Sequence, residues 1–99
     1  MDKILDKIDR IINIITIDLD PEKIILFGSR AKNDFKNGSD IDLCILGADN
    51  TDNRKIRKLK EKIDDISGLY SVDLIFYEKI DEEFKKIILE TGKVIYEKK

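Results

Sequence analysis

The chain has 99 residues, 41% of them hydrophobic and 40% charged, with a formal net charge of −2. That length suits a single domain, residues 1–99, around one core; the apolar share excludes a disordered tail, and the near-balanced charge gives no whole-molecule field to attract nucleic acid. No stretch approaches the roughly 18 apolar residues of a membrane span, the N-terminus alternates Ile with Asp and Lys unlike a signal or transit peptide, and lone Cys44 cannot close an internal disulfide, so a cytoplasmic protein is expected. The bias toward Ile, Lys, Asp and Glu, with no Gln, His or Trp, fits a heat-adapted source and an AT-rich genome equally well.

Residues 3–15 carry Ile4, Leu5, Ile8, Ile11, Ile12 and Ile15 at helical spacing with charges between them. Asp20-Pro21 breaks the pattern, because proline disfavours helix at the residue before it. Lys23-Ile24-Ile25-Leu26-Phe27 is a continuous apolar run and predicts a strand buried on both faces. It ends at Gly28-Ser29, after which a short helix and a turn at Lys36-Asn37-Gly38 are expected. Asp40 to Leu46 is the second strand, and Gly47 to Asn53 a loop in which Asn50, Thr51 or Asp52 can cap the next helix. That helix lines up Ile56, Leu59, Ile63 and Ile66 and stops at Ser67-Gly68. Ser71 to Tyr77 is the third strand, 81–91 the last helix through Phe84, Ile87 and Ile88, and Val94-Ile95-Tyr96 a short edge strand after Thr91-Gly92. Helices alternating with strands give an α/β (α+β) class with helices on a small sheet, too short for a full doubly wound fold.

The second strand carries the chemistry. Successive side chains of a strand alternate faces, so Asp40 and Asp42 point the same way with Cα atoms about 6.5 Å apart. Asp is depleted in strands, and two like charges side by side repel; a divalent cation relieves that cost, and hard carboxylate oxygens suit Mg²⁺ or a pair of ions. The plain alternative is a frayed strand end with two solvated carboxylates. Asp73 lies at the start of another apolar strand. If the two strands are neighbours it can face the same site, as a general base or a further metal ligand. Gly28 allows close backbone approach to a phosphate, Ser29 offers a hydroxyl and Arg30 a positive charge, although a Gly-Ser pair by itself is more often an ordinary turn.

Taken together, Gly28-Ser29, the ten residues Arg30 to Ser39, and Asp40-Ile41-Asp42 on a strand resemble the signature of the nucleotidyltransferase superfamily that includes DNA polymerase beta. The run from Gly28 to Asn33 and from Gly38 to Ile45, with the ending Glu90 to Tyr96, is similar to the minimal nucleotidyltransferases, the antitoxin partners of HEPN-domain toxins. The resemblance covers nearly the whole chain. It implies a mixed sheet with helix and strand alternating three times (αβαβαβ), followed by a C-terminal helix and edge strand. It further implies ATP as substrate, Ser29 on the outer phosphates, two Mg²⁺ ions held by Asp40 and Asp42, and Asp73 as third carboxylate. The implied partner is a HEPN toxin, silenced by transfer of AMP to a tyrosine. Asn33 departs from the family, standing where many relatives carry glycine, which bears on the loop's shape rather than on the ligands. A non-catalytic toxin-binding module is the alternative; a membrane or direct nucleic-acid contact is not expected.

Cys44 shares a strand face with Asp42 and reads as a small buried apolar residue. Arg54 to Lys60 is basic, either a solvated helix face or a surface for an acidic partner or RNA. Tyr70, Tyr77 and Tyr96 read as packing residues, with Tyr96 also a candidate for a partner interface.

Overall fold

A computed structural model describes residues 3–27, 41–48, 52–68 and 71–98. Helix α1 spans Lys3–Leu19, strand β1 Lys23–Phe27, β2 Ile41–Leu46, helix α2 Asn53–Ser67, β3 Val72–Phe76, helix α3 Glu82–Thr91 and β4 Lys93–Glu97, with a 3-10 turn at Tyr77–Lys79. Each described helix and strand falls where the hydrophobic pattern places it, except that the third strand ends at Phe76 and Tyr77 enters the 3-10 turn. The helix expected between Gly28 and Asp40 lies outside the described residues, as do Gly28, Ser29, Arg30, Asn33, Asp40 and Tyr70.

The strands form one sheet in the order β3-β2-β1-β4. β2 and β3 are parallel, joined through α2, whereas β1 is antiparallel to both β2 and β4. The sheet is therefore mixed, and β4 is an edge strand beside β1.

Alternation along the strands divides the core between two faces. Ile24, Leu26, Ile41, Leu43, Ile45, Leu74 and Phe76 point to one face, where Ile8, Ile11 and Ile15 of α1 and Leu59 and Ile63 of α2 cover them. Ile25 and Cys44 point to the other, under Ile88 of α3. β1 is thus buried on both sides, as its unbroken apolar run requires. Fully burying each of these large aliphatic side chains contributes about 1.5–3 kcal/mol before chain entropy is charged against it.

Helix α1 runs up to the break expected at Asp20-Pro21, and Leu19 in its last turn still packs against the core. It ends at Asp20, in the left-handed region with φ 48°, whose N–H donates to the Thr16 carbonyl at 3.1 Å. Asp tolerates that conformation better than most side chains, and buried Pro21 then prevents the helix from continuing. Of the three candidate caps for α2, Asp52 takes the role, accepting from the Lys55 N–H at 2.8 Å. Asp81 does the same for α3 through the Phe84 N–H, also 2.8 Å.

Candidate active site

One row of side chains crosses three strands at a single end of the sheet. Phe27, the last residue of β1, pairs with Asp42, the second of β2, and Asp42 pairs with Asp73, the second of β3. Residues in register project from the same face, so Asp42 and Asp73 stand side by side on strands about 4.8 Å apart. This meets the condition set by the sequence, that the strands bearing the two carboxylates be neighbours. The Ile41 N–H donates to the Ser71 carbonyl at 2.7 Å and ties the two strand starts together.

The row occupies the α3 side of the sheet, opposite α1 and α2. Ile25 and Cys44 form the next row and are sealed by Ile88. α3 leaves the carboxylate row open: Asp42 is half-buried and Asp73 exposed. On the β1 side Phe27 packs edge-on against Phe84 of α3, ring centroids 5.8 Å apart at 83°. The site thus has an apolar wall on one flank of Asp42 and a second carboxylate on the other. Sequence reasoning used Phe27 only as a strand residue. Its place at the end of an apolar run, just before Gly28-Ser29, was the available signal that it borders the site.

Cys44 lies two residues beyond Asp42 on the same face and is fully buried. Burial, followed by the negative charge of Glu78, pushes its thiol up to about 11. It therefore stays a neutral apolar filler and supplies no thiolate. Tyr77 and Tyr96 are half-buried packing residues on the two faces of the sheet.

Adjacent carboxylates, one half-buried and one exposed, form a hard-oxygen donor set whose mutual repulsion a divalent cation offsets. The set fits Mg²⁺ with one or two protein carboxylates and the remaining positions left to water and phosphate oxygens. Asp73, the more exposed of the two, is accessible to a hydroxyl group entering from solvent.

The family model described as "Polymerase beta, Nucleotidyltransferase" matches residues 9–99. A Methanocaldococcus jannaschii relative named as a protein adenylyltransferase is 35% identical over 80 residues, covering 76% of this chain and 78% of its own. A crystal structure of a toxin–antitoxin with AMP-PNP superposes with a TM-score of 0.79 at 25% identity, over 92% of this chain and 73% of that one. The complex of a tri-AMPylated Shewanella oneidensis HEPN toxin with its MNT antitoxin gives a TM-score of 0.74 at 23% identity, covering 98% of this chain and 74% of that one, a likeness of fold.

Proposed function

The chain belongs to the polymerase beta nucleotidyltransferase family, and from that premise we propose that it is a single-domain cytoplasmic antitoxin that transfers AMP from ATP to a tyrosine of a HEPN-family toxin. The observation that carries this reading is the registered pair Asp42 and Asp73 on one open face. The relative named as a protein adenylyltransferase, the toxin–antitoxin structure with AMP-PNP and the complex holding an AMPylated HEPN toxin all favour a nucleotide donor and a protein acceptor.

In this mechanism Asp40 and Asp42 hold Mg²⁺, while Gly28, Ser29 and Arg30 receive the triphosphate. Bound magnesium supplies charge stabilisation to the phosphate oxygens. Asp73 accepts the proton of the acceptor hydroxyl, or completes the ligand set beside Asp42. The hydroxyl oxygen bonds to the α-phosphorus, the bond from that phosphorus to the bridging oxygen breaks, and pyrophosphate departs. Phe27 and Phe84 exclude water from the β1 side, which strengthens the electrostatic interactions of Asp42.

Incubating the full chain with ATP labelled at the α-phosphate, Mg²⁺ and a HEPN toxin tests the proposal. Label is expected on a toxin tyrosine, with loss of ribonuclease activity, and chelation of the metal stops both. A toxin that is silenced while carrying no label overturns the transfer and leaves a masking antitoxin in its place.

A further inference from the structure

The net charge of −2 conceals an uneven distribution. The exposed side of the first half of α2 carries Arg54, Lys55, Arg57, Lys58 and Lys60, with Glu61 the only carboxylate among them. Among the described residues none of these five cations is engaged in an ion pair.

Their placement opposes the helix that bears them. A helix N-terminus is the positive end of its dipole and favours acidic side chains, while its C-terminus favours basic ones. α2 has no acidic residue in its first turn and no basic residue in its last. Instead, Arg54 and Lys55 follow the cap, and Asp64 and Asp65 stand near the far end. The capping carboxylate Asp52 suits this end of the dipole, but the five cations that follow it do not. Such a violation of a local rule marks a surface kept for something other than stability.

We propose that this face of α2 is a binding surface for the phosphate backbone of a nucleic acid, read without regard to base sequence. α2 contains no aromatic residue on which a base could stack, and its exposed basic half offers no large apolar anchor. Protein interfaces centre on a desolvated aromatic or apolar core, which this face lacks, so its three lysines and two arginines suit phosphate better than an acidic protein. The surface is also separate from the candidate active site. α2 covers the sheet face opposite Asp42 and Asp73. It runs antiparallel to β2 and β3, so its basic half overlies their C-terminal ends, away from the carboxylate row. A nucleic acid bound there leaves the acceptor's approach to Asp73 clear.

Fluorescence anisotropy of the full chain with a labelled 20-nucleotide single-stranded RNA of mixed sequence, and with a duplex of the same length, tests the inference. Five phosphate contacts at about 0.7 released counterions each predict roughly 100-fold weaker single-strand binding between 50 and 200 mM salt, with little dependence on sequence. The variant R54E/K55E/R57E/K58E should lose binding. Should that variant fail to fold, R57Q/K58Q must lower the affinity and reduce the salt slope by about 1.4. Absence of binding at 50 mM salt overturns the inference. So does binding that either variant leaves unchanged, or a poly-glutamate peptide that binds this face as tightly as RNA does.

Discussion

Asp42 and Asp73 face each other in register across the parallel β2–β3 pair, although 30 residues separate them in the chain. The separation is taken up by α2, which returns the chain to the same end of the sheet so that both strands start beside each other. The consequence is two carboxylates in one row, with Phe27 completing it on the other side of Asp42.

The two carboxylates should respond differently to neutralisation. Asp42→Asn is expected to abolish AMP transfer, because an amide is a poor partner for Mg²⁺. Asp73→Asn should lower the rate about 10²- to 10⁴-fold, the usual contribution of a general base. The exposed Asp73→Asn variant should melt at or slightly above the parent's temperature, since it removes one member of a repelling pair. Initial rates of label transfer and thermal melts check this; full activity in Asp42→Asn removes the metal-ligand assignment.

Cys44 gives a pH dependence with a definite sign. Its folded-state pKa of about 11 lies above the ordinary thiol value of 9.0, chiefly through burial. The stability it contributes is fully present below about pH 9 and is lost as pH rises toward 11, because the unfolded chain releases the thiol proton first. The Lys98 ammonium is also shifted upward, first by its hydrogen bond to Asp20. Comparison with Cys44→Ala separates the two: unfolding free energy should fall more steeply between pH 9 and 11 in the parent than in the variant. At pH 8 iodoacetamide should modify the native thiol far more slowly than the unfolded one.

Much of the molecule was readable from its pattern. Ile8, Ile11 and Ile15 at helical spacing, the unbroken Lys23–Phe27 run and the Ser67-Gly68 stop each fixed an element, because burial on a given face admits few other arrangements. The pairing of β2 with β3 was only conditional, since no local signal tells a strand which neighbour it has. The Asp42–Asp73 register followed from that pairing alone. The role of Phe27 went unread for a related reason: its partner Phe84 comes from α3, 57 positions later, and such a contact exists only once the helix has packed. The end of α1 at Leu19 was legible for a local reason, because Pro21 disfavours helix at the residue before it.

Removing the side chain that seals α3 to the sheet should be costly. Ile88 is fully buried against Ile25 and Cys44. Ile88→Ala should destabilise the fold by about 2–5 kcal/mol, within the range for large-to-small core substitutions. Because Phe84 on the same helix forms the wall beside Asp42, loss of AMP transfer on warming should set in at a lower temperature than in the parent. Denaturant melts and rate measurements at several temperatures test both effects.

Gly47 closes β2 under two separate constraints. Its φ is +81°, where an L side chain is strained, and an added Cβ would lie 2.6 Å from Cγ of Glu22. Its N–H also points at the Glu78 carboxylate, 3.3 Å from each oxygen. Gly47→Ala should therefore cost about 1–3 kcal/mol, the range for a residue forced into a sparsely populated backbone region. The Cγ contact can be separated from the remaining constraints. Glu22→Ala in the same chain removes the flexible Cγ contact but leaves the Glu22 Cβ at 2.9 Å, its N at 3.0 Å and the backbone angle unchanged. The double variant should accordingly regain only a minor share of the loss in denaturant melts. Full recovery on adding Glu22→Ala would show that side-chain crowding, and not the left-handed backbone, is what requires glycine there.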